Sequence, residues 1–66
     1  MKIEVNGNER DFEAGSTLAA VVDVVCSERR GKAVAVNEQL VPRSLWEHTA
    51  VMPGDRVEVL TATQGG

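Results

Sequence analysis

The feature that most constrains the fold is the pair Asn6-Gly7, which interrupts a run with the periodicity of a strand. Lys2-Ile3-Glu4-Val5 alternates polar and apolar side chains, as a strand with one buried face does. Asn and Gly both tolerate a positive φ, so the pair is a strong signal for a tight β-hairpin. The chain returns over residues 9–13 with Phe12 as its main apolar anchor. The acidic character of this second strand indicates a sheet edge.

A helix is predicted after the hairpin. Gly15 breaks the strand pattern, and either Ser16 or Thr17 can cap a helix by accepting a hydrogen bond from a backbone N–H. Apolar side chains then recur at helical spacing, at Leu18, Val21, Val22, Val25 and Cys26. The valines lower the helix propensity, but the cap and the spacing agree on a helix that ends near Ser27.

The second half of the chain has the pattern of strands around a short irregular segment. Residues 33–36 are apolar throughout, which is typical of a strand buried on both faces. After a turn at residues 37–39, the short return strand Leu40-Val41 stops at Pro42, which has no N–H and favours a sheet edge. Residues 43–49 are predicted to be irregular around one helical turn. Pro53-Gly54-Asp55 is a turn, and residues 56–62 are the last strand.

The last strand has two different faces. Val57, Val59 and Thr61 share one face, whereas Leu60 and Ala62 continue a face that begins with charged residues. Two interpretations of Leu60 and Ala62 stay open. They form a docking surface for a partner, or a loop of this chain covers them.

Size and charge exclude several classes of function. A chain of 66 residues is near the lower limit for one folded domain and has little room for a substrate cleft, which disfavours a self-sufficient enzyme. The net charge of -3 and the scarcity of aromatic residues disfavour nucleic-acid binding. A single cysteine cannot form an internal disulfide. No apolar run is long enough to cross a membrane and no secretory leader is recognisable, so a cytoplasmic protein is expected.

The sequence ends on the polar segment Thr63-Gln64-Gly65-Gly66, which is predicted to be flexible. One interpretation is a frayed end or the remnant of a tag. The other is that Gly66 uses its α-carboxylate in chemistry. Gly65 then serves as a thin stalk, because glycine permits the closest backbone approach.

The order of these elements resembles the ThiS/MoaD family of small sulfur-carrier proteins, and within it most closely the ThiS type. The resemblance spans residues 1–66 and is carried by Ile3-Glu4-Val5-Asn6-Gly7, Gly15-Ser16-Thr17-Leu18, Ala35-Val36-Asn37-Glu38, Val41-Pro42-Arg43-Ser44-Leu45-Trp46, Gly54-Asp55-Arg56-Val57-Glu58-Val59 and Gly65-Gly66. It implies an α+β fold of the ubiquitin-like β-grasp type, a mixed sheet packed on one main helix. The first and last strands would lie parallel at the centre of the sheet, with residues 63–66 projecting as a tail.

The resemblance also implies the chemistry of that tail. An adenylating enzyme of the ThiF type would use ATP and magnesium to join AMP to Gly66. A persulfide from a cysteine desulfurase would then give a thiocarboxylate, whose sulfur goes to a thiazole synthase of the ThiG type in thiamine biosynthesis. Gln64 and Gly65 would give access to the partner, and Leu60 and Ala62 would contact it. The chain would be a monomeric co-substrate without a bound cofactor or metal, and not an enzyme.

Three alternatives share part of these features. A carrier for molybdopterin or another sulfurated metabolite would have the same fold, tail and activation. A non-covalent β-grasp binding module with an incidental glycine tail would tolerate the loss of Gly66. A protein modifier that resembles ubiquitin would instead be conjugated to lysines.

Several other side chains of reactive type are predicted to be structural. Cys26 falls on the apolar helix face, where a free cysteine packs as a small hydrophobe. His48 has no second ligand at metal-binding spacing and is predicted to lie on the surface. Trp46 is either a partner anchor or part of a satellite core under its loop, and we favour the core. Asp55 and Arg43 are assigned to turn and loop structure.

Overall fold

The computed structural model describes residues 1–61, which form a five-stranded mixed sheet and one α-helix. The strands are β1 (Lys2–Val5), β2 (Asn8–Asp11), β3 (Lys32–Val36), β4 (Gln39–Val41) and β5 (Arg56–Thr61). The helix is α1 (Leu18–Val25), and a 3₁₀ helix (Arg43–His48) lies between β4 and β5. The strand order across the sheet is β2-β1-β5-β3-β4, and β1 pairs with β5 in parallel. The predicted mixed sheet with parallel first and last strands is therefore confirmed.

The first hairpin forms as predicted. Asn6 and Gly7 have φ values of 51° and 84°, which are the left-handed conformations that a two-residue hairpin turn requires. All of β2 is exposed and the strand lies at the sheet edge, as its acidic sequence indicated. The strand begins at Asn8 and ends before Phe12, which is partly buried against the core.

The helix forms at the predicted position, and its cap is Thr17. The Thr17 Oγ1 accepts a hydrogen bond from the Ala20 N–H at 3.2 Å, while the Ser16 hydroxyl donates to the Glu13 carbonyl at 2.7 Å. The helix ends at Val25, and the thiol of the capping residue Cys26 donates to the Val22 carbonyl at 3.2 Å. Of the two candidate caps, Thr17 is therefore the one that caps the helix. Cys26 packs partly against the core, as predicted.

Trp46 belongs to the main core. It is 1% exposed and packs in one cluster with side chains from α1 and the sheet, among them Leu18, Val34 and Val57. Its Nε1–H donates to the Val41 carbonyl at 2.9 Å, so the indole has a partner for its polar atom. The prediction of core packing is right, but the prediction of a separate satellite core is wrong. The segment predicted as largely irregular is a 3₁₀ helix that carries Trp46 into the space beside α1.

The segment between α1 and β3 carries the basic residues Arg29 and Arg30, and Arg29 forms ion pairs with two other elements. The Arg29 guanidinium contacts Asp23 at 2.8 Å and Glu47 at 3.2 Å, which joins the helix to the 3₁₀ helix. The hydrogen bond from Arg29 holds the pKa of the Asp23 carboxyl below its ordinary value. Because Asp23 and Glu47 are exposed and Arg29 is only half-buried, this bridge adds little to stability.

The turn between β3 and β4 contains a strained residue. Asn37 and Glu38 have φ values of 50° and 71°, and a side chain with a Cβ pays about 1–2 kcal/mol in the left-handed region. Glu38 is exposed. Glu38→Gly is therefore expected to raise the free energy of unfolding by about 0.5–1 kcal/mol, because relief of strain outweighs the greater freedom of glycine in the unfolded chain.

Urea unfolding of both variants measures this effect. The matched control is Glu9→Gly in β2, which is also exposed but lies within a strand. The control should lose about 0.5–1 kcal/mol, because glycine within a strand is destabilising. Equal losses in the two variants would contradict the strain at Glu38.

Candidate functional site

The candidate site is the end of β5, from which the chain continues towards Gly66. On one side, β3 pairs with β5 as far as Lys32 and Thr61. On the other side, the pairing with β1 ends at Val5 and Val57. The backbone ladder therefore supports the end of β5 fully on the β3 side and stops earlier on the β1 side.

Asn6 forms further hydrogen bonds to β5 beyond the last residue of β1. Its Oδ1 accepts a hydrogen bond from the Val59 N–H at 2.9 Å, and its Nδ2 donates to the Val59 carbonyl at 3.3 Å. The Asn6 backbone N–H donates to the Val57 carbonyl at 2.9 Å. A side-chain amide offers the same donor and acceptor as a peptide group, so Asn6 takes the place of a further residue of β1. The sequence pattern indicated only a turn residue here.

Lys32 contacts β5 from the other side. Its ammonium group donates to the Thr61 hydroxyl at 3.1 Å, in addition to the backbone pairing of the two residues. The last described residue of β5 is thus held by β3. Asn6 holds the strand two positions earlier, from the side of β1.

The outer face of the sheet carries exposed apolar side chains near this end. Leu60 is 54% exposed and Leu40 is 74% exposed. The register pairs Leu60 with Ala33 and Leu40 with Ala35, which places both leucines on the face opposite the core valines. Leu40 also lines a cleft of about 360 Å³ between β3, β4 and the 3₁₀ helix. Within residues 1–61 no loop covers Leu60, and its side chain stays exposed.

The other side chains of reactive type have structural surroundings. Asp55 accepts hydrogen bonds from the Met52 N–H at 2.8 Å and from the Asn37 Nδ2 at 3.1 Å, which confirms its role in the turn. His48 is exposed, as predicted. Arg43 is exposed at the start of the 3₁₀ helix, and its loop role stays a prediction.

The described part of the chain lacks two further kinds of feature. Among residues 1–61, no group of three or more His, Cys, Asp or Glu side chains is arranged to hold a metal ion. No helix in the same range is long and apolar enough to cross a membrane. Of the predicted site residues, Leu60 lies within this range, whereas Ala62, Gln64, Gly65 and Gly66 lie outside the described residues.

Comparison with known proteins gives the family. The model of the ThiS family matches residues 3–66, which is nearly the whole chain. The chain belongs to the ThiS family. Over 66 residues it is 30% identical to the sulfur carrier protein ThiS of Escherichia coli, and the match covers the full length of both proteins. It is also 36% identical over 66 residues to a thiazole synthase of Paramagnetospirillum magneticum, but it spans only 20% of the length of that protein.

Solved structures show the same fold. A crystal structure of the thiamine biosynthesis protein ThiS from Geobacter metallireducens matches the whole of both chains with a TM-score of 0.87 at 23% identity. An NMR structure of a thiamine biosynthesis protein from the same organism matches with a TM-score of 0.77 at 25% identity. That match covers all of this chain and 88% of the other. The predicted family and the predicted β-grasp fold are both confirmed.

Proposed function

We propose that this chain is a sulfur carrier for thiazole formation in thiamine biosynthesis, with the α-carboxylate of Gly66 as the point of attachment. The observation that carries the proposal is the full-length match to the sulfur carrier protein ThiS of Escherichia coli. The similarity to one part of a thiazole synthase supports the choice of consumer. A carrier and the enzyme that uses its sulfur work on the same group, so joining them in one polypeptide is chemically reasonable.

The first step of the proposed chemistry activates the carboxylate. A carboxylate resists attack by sulfur, because its carbonyl carbon is electron-rich and its oxygens leave poorly. In an adenylating partner of the ThiF type, a Gly66 carboxylate oxygen attacks the α-phosphorus of ATP, and pyrophosphate leaves. The mixed anhydride with AMP now has a good leaving group. ATP and magnesium belong to that partner.

The second step replaces oxygen by sulfur. A persulfide that originates on a cysteine desulfurase attacks the acyl carbon, and AMP leaves with its bonding electrons. A thiol then reduces the acyl disulfide by cleaving the S–S bond, which leaves a thiocarboxylate on Gly66. The thiocarboxylate is a strong nucleophile and gives its sulfur to the thiazole synthase. After release as the carboxylate, the carrier can be charged again, so it is a co-substrate and supplies no catalytic group.

The fold suits a carrier whose docking surface and reacting end are separate. β5 lies at the centre of the sheet and leads towards Gly66, while Leu60 stays exposed on the outer face of the same strand. We include in the proposal that Leu60 and Ala62 contact the partner and that Gln64 and Gly65 form the stalk. We also propose that the free carrier is a cytoplasmic monomer.

Pyrophosphate exchange tests the activation step. A ThiF-type enzyme with magnesium, ATP and labelled pyrophosphate should form labelled ATP only when this chain is added, and the rate should saturate with chain concentration. A non-covalent binding module would bind the enzyme without supporting exchange. Saturable binding without exchange would therefore contradict the proposed function.

Leu60→Glu is expected to raise the KM of the chain in this assay about tenfold, because a charge is placed into an apolar contact. The matched control is Met52→Glu, since Met52 is 60% exposed but precedes the start of β5. The control should leave KM within about twofold of the wild-type value. The corresponding change in binding free energy is well below the roughly 1.4 kcal/mol of a tenfold change. An equal effect of both substitutions would remove Leu60 from the partner surface.

A further inference from the structure

We propose that Asn6 is a positioning residue that fixes the direction in which β5 leaves the sheet. In doing so it would aim Gly66 at the reacting centre of the adenylating partner. This inference rests on the proposed function and adds to it a residue far from the tail in sequence. Asn6 was recognised in the sequence only through its turn.

The contacts of Asn6 reach across the chain to the end of β5. Both polar atoms of its side chain bond the backbone of Val59, at 2.9 Å and 3.3 Å, over a separation of 53 residues. The backbone pairing between β1 and β5 ends at Val57. Asn6 thus provides the last contact on the β1 side before Thr61. Beyond Val59, the described strand pairing of Leu60 and Thr61 is with β3.

The side chain of Asn6 has little part in the core. Asn6 is exposed, and the buried cluster consists of apolar side chains from the sheet, α1 and the 3₁₀ helix. Its removal should therefore change the end of β5 more than the stability of the domain. Local opening of a strand end requires much less free energy than global unfolding.

Asn37 is a matched residue at the other end of β5. It also lies in a hairpin turn with a positive φ, of 50° against 51° for Asn6. Its Oδ1 accepts from the Arg56 N–H at 3.0 Å, and its backbone N–H donates to the Arg56 carbonyl at 2.8 Å. Two asparagines therefore hold opposite ends of one strand, and only Asn6 lies beside the exit of the tail.

The positioning role predicts which kinetic constant changes. When the end of β5 opens towards the β1 side, the tail leaves over a wider range of directions, and fewer docked complexes bring Gly66 to ATP. Small errors in the placement of a reacting group lower rates strongly. Docking through the outer face is kept, because β3 still pairs with Leu60. The kcat of adenylation should fall, while KM should change little.

Asn6→Gly and Asn37→Gly test this inference, since glycine keeps the positive φ of both turns. In Asn6→Gly, we expect kcat for adenylation to fall about tenfold with KM within about twofold of wild type. Amide hydrogen exchange should become faster at Val59 and stay unchanged at Arg56. In Asn37→Gly, exchange should become faster at Arg56, and kcat should stay close to that of wild type.

A further variant keeps the test decisive if Asn6→Gly does not fold. Asn6→Asp retains an acceptor for the Val59 N–H and tolerates the turn. If Asn6→Gly folds, Asn6→Asp should have a larger kcat than Asn6→Gly. If Asn6→Gly is unfolded, Asn6→Asp should still have a measurable kcat that is lower than that of wild type. Equal kcat values for wild type, Asn6→Asp and the folded Asn6→Gly would overturn the inference and leave the proposed function standing. A rise in KM without a fall in kcat would also overturn it. A wild-type chain that is not adenylated would overturn the proposed function first.

Discussion

Gly65→Trp is expected to lower the rate of adenylation at least about 100-fold while the domain keeps its wild-type fold. Residue 65 precedes the proposed attachment point, and a carboxylate that enters the active site of another protein needs a narrow stalk. An indole at this position prevents the close approach of the backbone that glycine allows. The measurement is the pyrophosphate-exchange rate with a ThiF-type enzyme, accompanied by circular dichroism of the variant.

The matched control adds the same side chain to an edge strand of the sheet. Glu9→Trp places an indole on the exposed edge strand β2, which β1 separates from β5. This variant should support exchange at a rate close to wild type. If the Gly65→Trp chain is activated as well as the Glu9→Trp chain, the idea of a narrow channel around the tail is wrong.

Trp46→Ala is expected to destabilise the domain by about 3–5 kcal/mol, the usual cost of removing a fully buried aromatic side chain. Trp46 is 1% exposed and fills the space between the 3₁₀ helix, α1 and β3. A chain of 66 residues has a total stability of about 3–10 kcal/mol, so this loss brings the domain close to unfolding at room temperature. Urea unfolding followed by circular dichroism measures the loss without the indole as a probe.

The neighbouring Leu45→Ala serves as the control. Leu45 lies in the same 3₁₀ helix but is 48% exposed, so its truncation should cost less than about 1 kcal/mol. A similar loss in both variants would mean that the 3₁₀ helix, and not the burial of Trp46, determines the effect.

Local signals were sufficient to predict the five strands and α1. The first hairpin follows from a pair of residues that tolerate positive φ, and the helix follows from a cap and an apolar spacing. Pro42 correctly placed β4 at an edge of the sheet. Each of these signals involves residues close together in the sequence, so it can be recognised without information on tertiary contacts.

Contacts between distant residues could not be predicted in this way. The parallel pairing of β1 with β5 was predicted from the family resemblance, because no local pattern in either strand indicates which strand it pairs with. The bonds from Asn6 to Val59 join residues 53 positions apart, and the sequence offers only the turn as a signal. Trp46 was placed in the wrong core because packing between the 3₁₀ helix and α1 depends on how the two elements meet.

The candidate site was also only partly predictable from the sequence. The alternation of β5 predicted the face of Leu60, and the structure adds that Leu60 is exposed next to a supported strand end. Ala62, Gln64, Gly65 and Gly66 lie outside the described residues, and their roles remain proposals. The chemistry of those residues must therefore be tested on the tail itself.

Intact-mass spectrometry can determine whether Gly66 carries sulfur. The chain is incubated with ATP, magnesium, a ThiF-type enzyme, a persulfide source and a thiol reductant. We expect a mass gain equal to the replacement of one oxygen by one sulfur, mapped to Gly66 by fragmentation. An unchanged mass, under conditions in which the same enzyme charges the sulfur carrier ThiS of Escherichia coli, would contradict it.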